Sequence, residues 1–269
     1  MRDSEEREFK DLVQYGLKAV LDLLIPRQCL VCGKTLGSSE THLCSECLED
    51  LPLTYYWLRK FNPMADRFNE LIQNDLEEKW KEGYLPARTD YAFATALFFF
   101  RDESEYRHIT HQLKYHGNIP AGIFFGTLLG KKLASADHFL DVDMVIPVPL
   151  YWSRKWKRGY NQAEIVARMV ASELGAEMNT AILRRCRRTQ TQTRLGIEDK
   201  KKNVQGAFEV GQDIKKAGTQ DHQSPRHLLL IDDVFTTGST LIACFTALRT
   251  VFPPSVRISV ATLGFVGGG

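Results

Sequence analysis

The sequence predicts an α/β protein, in which a parallel sheet carries helices on both faces and a small cysteine-rich module precedes it. From about residue 90 onward, short runs of β-forming residues alternate with helical runs. Earlier in the chain, four of the six cysteines fall in two C-x2-C pairs between residues 29 and 47. With 269 residues, 43% hydrophobic and 25% charged, the chain has globular composition, which excludes a disordered or fibrous protein.

The formal charge of +2 hides an uneven distribution along the chain. Residues 1–90 hold 12 basic and 17 acidic side chains, whereas the remaining residues hold 23 basic and 16 acidic ones. Much of the positive charge of the second part collects in two stretches, residues 154–158 and 184–202. This clustering predicts an anionic ligand for the second part of the chain.

The amino-terminal residues predict an amphipathic helix and no export signal. Seven residues of Met1–Lys10 are charged, and the segment lacks an apolar signal core. The most apolar later runs, Ala92–Phe100 and Ile119–Gly130, have 9 and 12 residues, against the about 20 that a membrane-spanning helix needs. We therefore expect a cytoplasmic protein without a membrane span. The helical apolar residues before Pro26 are Phe9, Leu12, Val13, Leu17, Val20, Leu21 and Leu24.

The clustered cysteines predict a structural zinc site. Cys29 and Cys32 form the first pair, and Cys44 and Cys47 follow after eleven intervening residues. Two such turns complete the tetrahedral thiolate shell of a closed zinc site. Two disulfides are the alternative, but a chain without an export signal is expected in a reducing compartment, where thiolates persist.

A polar segment from Leu53 to Thr89 separates this module from the alternating part. It predicts one or two surface helices around Pro63–Lys81 and a role as linker or insertion. The predicted domains are therefore a helix and zinc module at 1–53, a helical linker at 54–90 and an α/β domain at 91–269.

Eight elements are predicted within the α/β domain. The strands are Tyr91–Phe100, Met144–Val148, Leu228–Ile231 and Val256–Leu263, and the helices are Tyr106–His116, Ile119–Ala134, Gln162–Leu174 and Thr240–Val251. Gly122, Gly126 and Gly130 recur every four residues and predict close packing of their helix on a sheet. Ligands of such sheets bind beyond the carboxyl ends of strands, so the loops after Val148 and Ile231 are the candidate functional loops.

The loop after Ile231 carries the strongest functional signal. Asp232 and Asp233 follow four aliphatic residues, and a hydroxyl-rich turn then opens a helix. The N–H groups at a helix start attract anions such as phosphate. Two carboxylates would repel a bare phosphate, so they must bind something attached to it: vicinal sugar hydroxyls, a divalent metal or both. A phosphorylated ribose is the predicted ligand, and the turn residues are Thr236, Thr237, Gly238, Ser239 and Thr240.

The segment from Leu230 to Thr240 resembles the 5-phosphoribosyl-1-pyrophosphate (PRPP) loop of type I phosphoribosyltransferases. With further motifs in the same order, residues 21–265 resemble the ComF family of competence-associated proteins. The further motifs are the four cysteines, Lys114-Tyr115-His116-Gly117, Ile146–Pro149 with Arg158–Gln162, Thr189-x-x-Gln192-x-x-Leu195, and Asn203–Phe208.

The resemblance implies a phosphoribosyltransferase-like sheet and specific residue roles. Asp232 and Asp233 would contact the ribose hydroxyls, and Thr236–Thr240 would hold the 5-phosphate. A basic loop at Tyr151–Tyr160 would bind pyrophosphate, and a mobile loop at Arg184–Lys202 would close over the site. The candidate contacts of these two loops are Arg154, Lys157, Arg158, Gly159, Arg185 and Arg187.

Two departures from the family pattern affect this site. Phe235 stands where a smaller aliphatic residue is usual, so it would alter the ribose contact or cover the site. Lys200–Lys202 stand where an arginine is usual before Asn203, and an ammonium cannot replace a bidentate guanidinium.

Two functions remain open from the sequence. The first is a magnesium-dependent transfer in DNA uptake, in which an unidentified acceptor displaces pyrophosphate from PRPP. The second is a non-catalytic PRPP sensor that binds single-stranded DNA through its basic loops and zinc module. In the second case the aromatic residues at 151, 152, 156 and 160 could stack on bases, but core or lid packing is the favoured prediction for them. A DNA-uptake helicase or another competence protein is an expected partner in both cases.

Overall fold

The computed structural model describes residues 26–81, 83–84, 90–100, 104–115, 117–187, 206–211 and 225–267. Several predicted features lie outside these residues: the helix before Pro26, the motif at 189–195, the start of the motif at 203–208, and the cations at 188, 194 and 200–202. The chain forms two compact units. The smaller one ends at Leu51 and includes Glu105–Ile109, and the larger one comprises Pro52–Ser104 and the chain from Thr110 onward.

A five-stranded parallel sheet is the centre of the larger unit, as the sequence predicts. Its strand order is β1-β7-β6-β2-β3, and every neighbouring pair is parallel. A separate antiparallel pair is formed by β4 and β5. The strands are β1 (Ala94–Phe99), β2 (Met144–Pro147), β3 (Glu177–Met178), β4 (Leu183–Arg185), β5 (Phe208–Val210), β6 (His227–Phe235) and β7 (Arg257–Phe265).

Seven α-helices accompany these strands in the described part of the chain. They are α1 (Ser45–Glu49), α2 (Pro63–Lys81), α3 (Arg107–Tyr115), α4 (Ile119–Ala134), α5 (Trp152–Arg158), α6 (Gln162–Leu174) and α7 (Ser239–Arg249). Two helices, α4 and α6, have the predicted bounds. None of the described helices has both the length and the apolar character that a membrane crossing requires.

Alternation along β6 shows that both faces of the sheet are covered. Leu228 and Leu230 pack in a core cluster with side chains of α2 and α7. Leu229 and Ile231 are also fully buried, and successive strand residues point to opposite faces. On that second face α6 contacts both β2 and β6. The predicted two-sided α/β arrangement is therefore confirmed.

Helix α2 belongs to the core, so the prediction of a surface helix is wrong for one of its faces. Met64, Phe68 and Ile72 recur every four residues and are essentially inaccessible to solvent. Phe68 packs edge-on against Phe245 of α7, with ring centroids 5.7 Å apart. The polar composition of the whole segment hides this apolar stripe, which is narrow but continuous.

The regularly spaced glycines of α4 face a helix and not a sheet, which corrects the predicted partner. A Cβ at Gly122 would lie 3.0 Å from Ile165, and one at Gly130 would lie 2.8 Å from Glu173. A Cβ at Gly126 would lie 3.1 Å from Met169. All three neighbours belong to α6, so the glycines allow α4 and α6 to approach closely.

A polar network around the buried His227 joins the amino ends of the central strands. His227 of β6 has Nδ1 2.8 Å from Asp141 Oδ1 and Nε2 2.7 Å from Ser259 Oγ of β7. Arg257 also binds Asp141, at 2.8 Å. A serine, a histidine and an aspartate in this order suggest a hydrolase, but Ser259 is completely inaccessible to solvent. The network is therefore structural.

Candidate functional site

The carboxyl ends of β2 and β6 meet at the point where the sheet changes direction. From β2 the next sheet strand is β3 on one side, whereas from β6 it is β7 on the other side. The Val148 N–H donates to the Ile231 carbonyl at 2.8 Å, so the two strand ends lie side by side. Crevices at such switch points are the usual ligand sites of parallel sheets.

The motif Arg158–Gln162 ties three elements together beside this crevice. Asn161 Nδ2 donates to the Val148 carbonyl at 3.0 Å, and its Oδ1 caps α6 by accepting from the Ala163 N–H at 3.2 Å. The Tyr160 hydroxyl donates to the Leu113 carbonyl near the end of α3. Asn161 and Tyr160 thus position these elements, a role that the sequence does not assign to them.

Asp232 and Asp233 lie on β6 itself, not in a turn after Ile231 as the sequence predicts. The strand pairs with β7 beyond them, from Asp232 opposite Thr262 to Phe235 opposite Phe265. Pairing with β7 therefore overrides the weak strand propensity of aspartate.

The two acids have different surroundings. Asp233 Oδ2 lies 3.0 Å from Lys114 Nζ, and both side chains are largely buried. Burial and the Asp233 charge raise the pKa of Asp232 to about 7, although Lys114 and Arg185 oppose the shift. Burial alone would lower the pKa of Lys114, but the charges of Asp233 and Asp232 outweigh it and raise this pKa above the usual value. The sequence places Lys114 in a family motif but gives it no role.

The hydroxyl turn follows β6 and opens α7. Thr237 Oγ1 lies 2.8 Å from Ser239 Oγ, Thr236 is exposed, and Thr240 lies in the first turn of the helix. Gly238 has φ +76°, and a Cβ there would lie 2.5 Å from Leu71 Cδ1 and 2.8 Å from Phe235 Cζ. The close approach at Gly238 is therefore to the core.

Phe235 is a core residue. Its side chain is fully buried and packs against Phe265 at 5.7 Å and Phe68 at 6.5 Å between ring centroids. A ring in this position does not cover the crevice, so the larger side chain at this family position is accommodated by α2 and β7.

The segment predicted as a basic loop is the helix α5. It ends at Gly159, whose φ of +79° terminates the helix in the left-handed conformation. Residues two apart on a helix point in nearly opposite directions, so Arg154 and Arg158 lie opposite Trp152 and Trp156. The indole side chains are 68% and 87% exposed, so core packing is wrong for both tryptophans, and lid packing stays a prediction.

The cations on the other face of α5 reach toward neighbouring elements. The Arg158 guanidinium lies 5.3 Å from the centroid of the Tyr115 ring. The positive charge of Arg154 lowers the pKa of Arg185, after the larger effect of burial. Lys157 is exposed.

Arg184 and Arg185 lie on strand β4, not in a mobile loop. They pair with Glu209 and Phe208 of β5, and the Arg185 guanidinium lies 5.0 Å from the centroid of the Phe208 ring. Arg187 is exposed, and the remainder of the predicted loop, from residue 188 to 202, lies outside the described residues.

The smaller unit brings the four cysteines together. Their Sγ atoms all lie within 4.8 Å of one another, and the Cys32 and Cys44 sulfurs are 3.7 Å apart. A tetrahedral zinc ion with Zn–S bonds of about 2.3 Å requires sulfurs about 3.8 Å apart. Gly33, with φ +72°, makes the first turn, and its N–H donates to the Cys29 carbonyl at 3.0 Å. The geometry fits one structural zinc ion.

Comparison with known proteins finds relatives of this chain and a zinc ribbon in its amino-terminal part. A family model described as a double zinc ribbon domain matches residues 20–56. Competence protein F of Haemophilus influenzae is 34% identical over 116 residues, which cover 43% of this chain and 48% of that protein. DNA utilization protein YhgH of Salmonella typhi is 29% identical over 222 residues, 81% of this chain and 89% of that protein. The chain is a homologue of these proteins.

These relatives confirm the resemblance to the ComF family. The YhgH protein of Escherichia coli O157:H7 is a further homologue, 28% identical over 216 residues, 79% of this chain and 80% of that protein. The match to competence protein F spans about half the length of that protein. The ribbon match and the sulfur geometry together support the predicted zinc ligands Cys29, Cys32, Cys44 and Cys47.

Proposed function

We propose that this ComF homologue is a PRPP-binding, phosphoribosyltransferase-like protein that acts in DNA uptake. The proposal rests on one observation: Asp232, Asp233 and the hydroxyl turn that follows them lie at the switch point of the sheet. The names of its relatives, competence protein F and DNA utilization protein YhgH, support the link to DNA uptake.

Each part of PRPP has a chemically suited partner in this crevice. The ribose hydroxyls can donate hydrogen bonds to the carboxylates of Asp232 and Asp233. The 5-phosphate fits the hydroxyls and backbone N–H groups at residues 236–240, at the start of α7. The pyrophosphate would interact with the cations of α5, principally Arg154 and Arg158, with Lys157 beside them and Arg185 on β4.

The reaction consistent with such a site is substitution at the anomeric carbon. The bond from that carbon to pyrophosphate breaks as the acceptor forms a new bond to it. Magnesium bound with the diphosphate would neutralise the leaving charge. The contribution of the chain is to orient the sugar and to compensate charge through the acids and cations named above. A non-catalytic PRPP sensor would use the same contacts.

Calorimetric titration of the zinc-loaded protein with PRPP and magnesium tests this proposal. We expect binding that an Asp232→Asn/Asp233→Asn variant weakens at least tenfold, because the ribose loses both carboxylate acceptors. Asp137→Asn makes the same chemical change at an exposed position and should bind like the wild type. Absence of PRPP binding to the wild type would refute the proposal. Pyrophosphate release with a panel of bases and amines then separates a transferase from a sensor.

The outer face of α5 supports a second function, the binding of single-stranded DNA. Trp152 and Trp156 are one helical turn apart and are the most exposed large apolar side chains of the described residues. Lys155 and Lys157 lie on the same short helix, which contains no acidic residue. Exposed aromatic rings among cations are the usual platform on which unpaired bases stack.

The two tryptophans take no part in the proposed PRPP contacts, so the two functions are separable. A Trp152→Ala/Trp156→Ala variant should bind a labelled oligothymidylate at least tenfold more weakly, because stacking contributes about 1–3 kcal/mol per base. It should bind PRPP like the wild type. Trp80→Ala removes another exposed indole, which is 66% accessible, and should leave both affinities unchanged. Unchanged oligothymidylate binding in the double variant would refute this second function.

A further inference from the structure

We propose that Lys114 determines what the acid pair binds: its ammonium excludes a free divalent cation and leaves the carboxylates to sugar hydroxyls. The residue types of the acid pair alone allow either ligand. The identity of the sugar rests on the proposed function. The exclusion of metal rests instead on the contact between Lys114 and Asp233.

Lys114 is held in place from both sides. The carbonyl of the preceding residue, Leu113, accepts the hydrogen bond from the Tyr160 hydroxyl. The ring of the following residue, Tyr115, lies under the Arg158 guanidinium. The Lys114 side chain is 30% exposed and the Asp233 side chain 13% exposed, so solvent screens their attraction weakly. The ammonium is therefore a fixed component of the crevice.

The charges around the acid pair are already compensated. Lys114 lies against Asp233, and the charges of both Lys114 and Arg185 act on Asp232. Arg154 adds a further positive charge near Arg185. A magnesium ion dehydrates reluctantly and is usually bound through one or two carboxylates. At this position it would lose one carboxylate to the ammonium and would be repelled by the surrounding cations.

Sugar hydroxyls meet neither obstacle. They are neutral, and a carboxylate oxygen that accepts one hydrogen bond from Lys114 still has lone pairs for a hydroxyl donor. The ammonium also reduces the repulsion between the carboxylates and the phosphates of the same ligand. A divalent cation would then enter this crevice only together with the diphosphate that carries it.

Manganese binding in the absence of PRPP tests the exclusion of metal. The full zinc-loaded chain is titrated with Mn²⁺, and the bound ion is counted by electron paramagnetic resonance. We expect no Asp233-dependent Mn²⁺ site in the wild type and one site per chain in Lys114→Met. The double variant Lys114→Met/Asp233→Asn should lose that site. Lys131→Met removes an exposed ammonium of α4, outside the proposed site, and should gain none.

Other outcomes would overturn the inference. An Asp233-dependent Mn²⁺ site in the wild type, or a folded Lys114→Met variant without a new site, contradicts the exclusion. Lys114→Arg preserves the charge and should still exclude Mn²⁺, and a gained site in this variant would contradict the mechanism even if Lys114→Met fails to fold. Circular dichroism and zinc content verify the fold of each variant.

Ribose 5-phosphate, offered without divalent metal, tests the sugar half of the inference. We expect it to bind the wild type and to bind Asp233→Asn at least tenfold more weakly. A strict requirement for added metal would overturn the inference. PRPP titration of the wild type is a separate measurement, so failure of the proposed function can be distinguished from failure of this inference. If the wild type binds PRPP but a folded Lys114→Met variant gains no Mn²⁺ site, only the role of Lys114 is refuted.

Discussion

The Lys114 ammonium lies 3.0 Å from the Asp233 carboxylate and thereby connects the end of α3 to the strand that carries the candidate PRPP loop. Two motifs more than a hundred residues apart in the sequence meet in this contact. A third motif, Arg158–Gln162, holds the same helix end through Tyr160. Three motifs that are separate in the sequence thus meet at the carboxyl edge of the sheet.

The raised pKa of Asp232 predicts how PRPP binding depends on pH. Burial and Asp233 raise this pKa to about 7, and the ionised carboxylate is the form that accepts hydrogen bonds from the ribose. We expect PRPP affinity to fall as the pH decreases through about 7, by up to about tenfold per pH unit. Calorimetric titrations between pH 8 and pH 6 measure this. Asp232→Asn should show a lower affinity with a flatter profile, and equal slopes would assign the effect to another group.

Replacement of Gly238 tests the packing beneath the hydroxyl turn. Gly238→Ala places a Cβ 2.8 Å from the Phe235 ring in a left-handed backbone conformation. We expect the free energy of unfolding to fall by about 2–4 kcal/mol, from the backbone strain and the overpacking combined. Urea denaturation measures the change. Gly175→Ala has a similar φ of +65° but open space around the Cβ, so it should cost about 1 kcal/mol. Equal losses would exclude the steric contribution.

The sequence predicts the elements that have a clear apolar face and a local start signal. Both α4 and α6 have their predicted bounds, and side chains of the preceding asparagines, Asn118 and Asn161, cap them. The two C-x2-C pairs are equally local. In each case the determining interactions lie within a few residues of the element.

The predictions that fail depend on contacts between distant residues. Strand β6 continues through two aspartates because β7 pairs with it, and β4 pairs with β5 across more than twenty intervening residues. The short helix α5 carries two tryptophans and four cations and has no apolar face that would reveal it. Lys114 is visible in a motif, but only the folded chain places it against Asp233.

Zinc content tests the smaller unit. Four sulfurs that surround one position predict one zinc ion per chain, although the matching family model is that of a double zinc ribbon. Cys44→Ser should lose the ion and unfold this unit, because structural zinc contributes about 10–16 kcal/mol in zinc-finger peptides. Cys186→Ser changes an exposed cysteine and should retain one ion. Elemental analysis measures the ratio, and a folded, metal-free wild type would contradict the assignment.

The buried imidazole of His227 predicts a loss of stability in mild acid. Burial lowers its pKa below the usual value of about 6.5, despite the nearby carboxylates of Asp141 and Asp143. As the pH falls below about 6.5, the unfolded chain binds a proton at His227 that the folded chain does not bind. The free energy of unfolding must therefore decrease, by at most about 1.4 kcal/mol per pH unit for one proton, and it is fully retained above that pH.

Urea denaturation of wild type and His227→Gln between pH 7.5 and pH 5.5 measures this dependence. The variant should be less stable at pH 7.5, because glutamine cannot reproduce both the Asp141 and the Ser259 hydrogen bonds. Its stability should fall less steeply with decreasing pH, because the titrating group is absent. His108→Gln, at an exposed position, should retain the wild-type slope. A wild-type slope in His227→Gln would mean that other groups cause the acid sensitivity, and the network would then be pH-insensitive in this range.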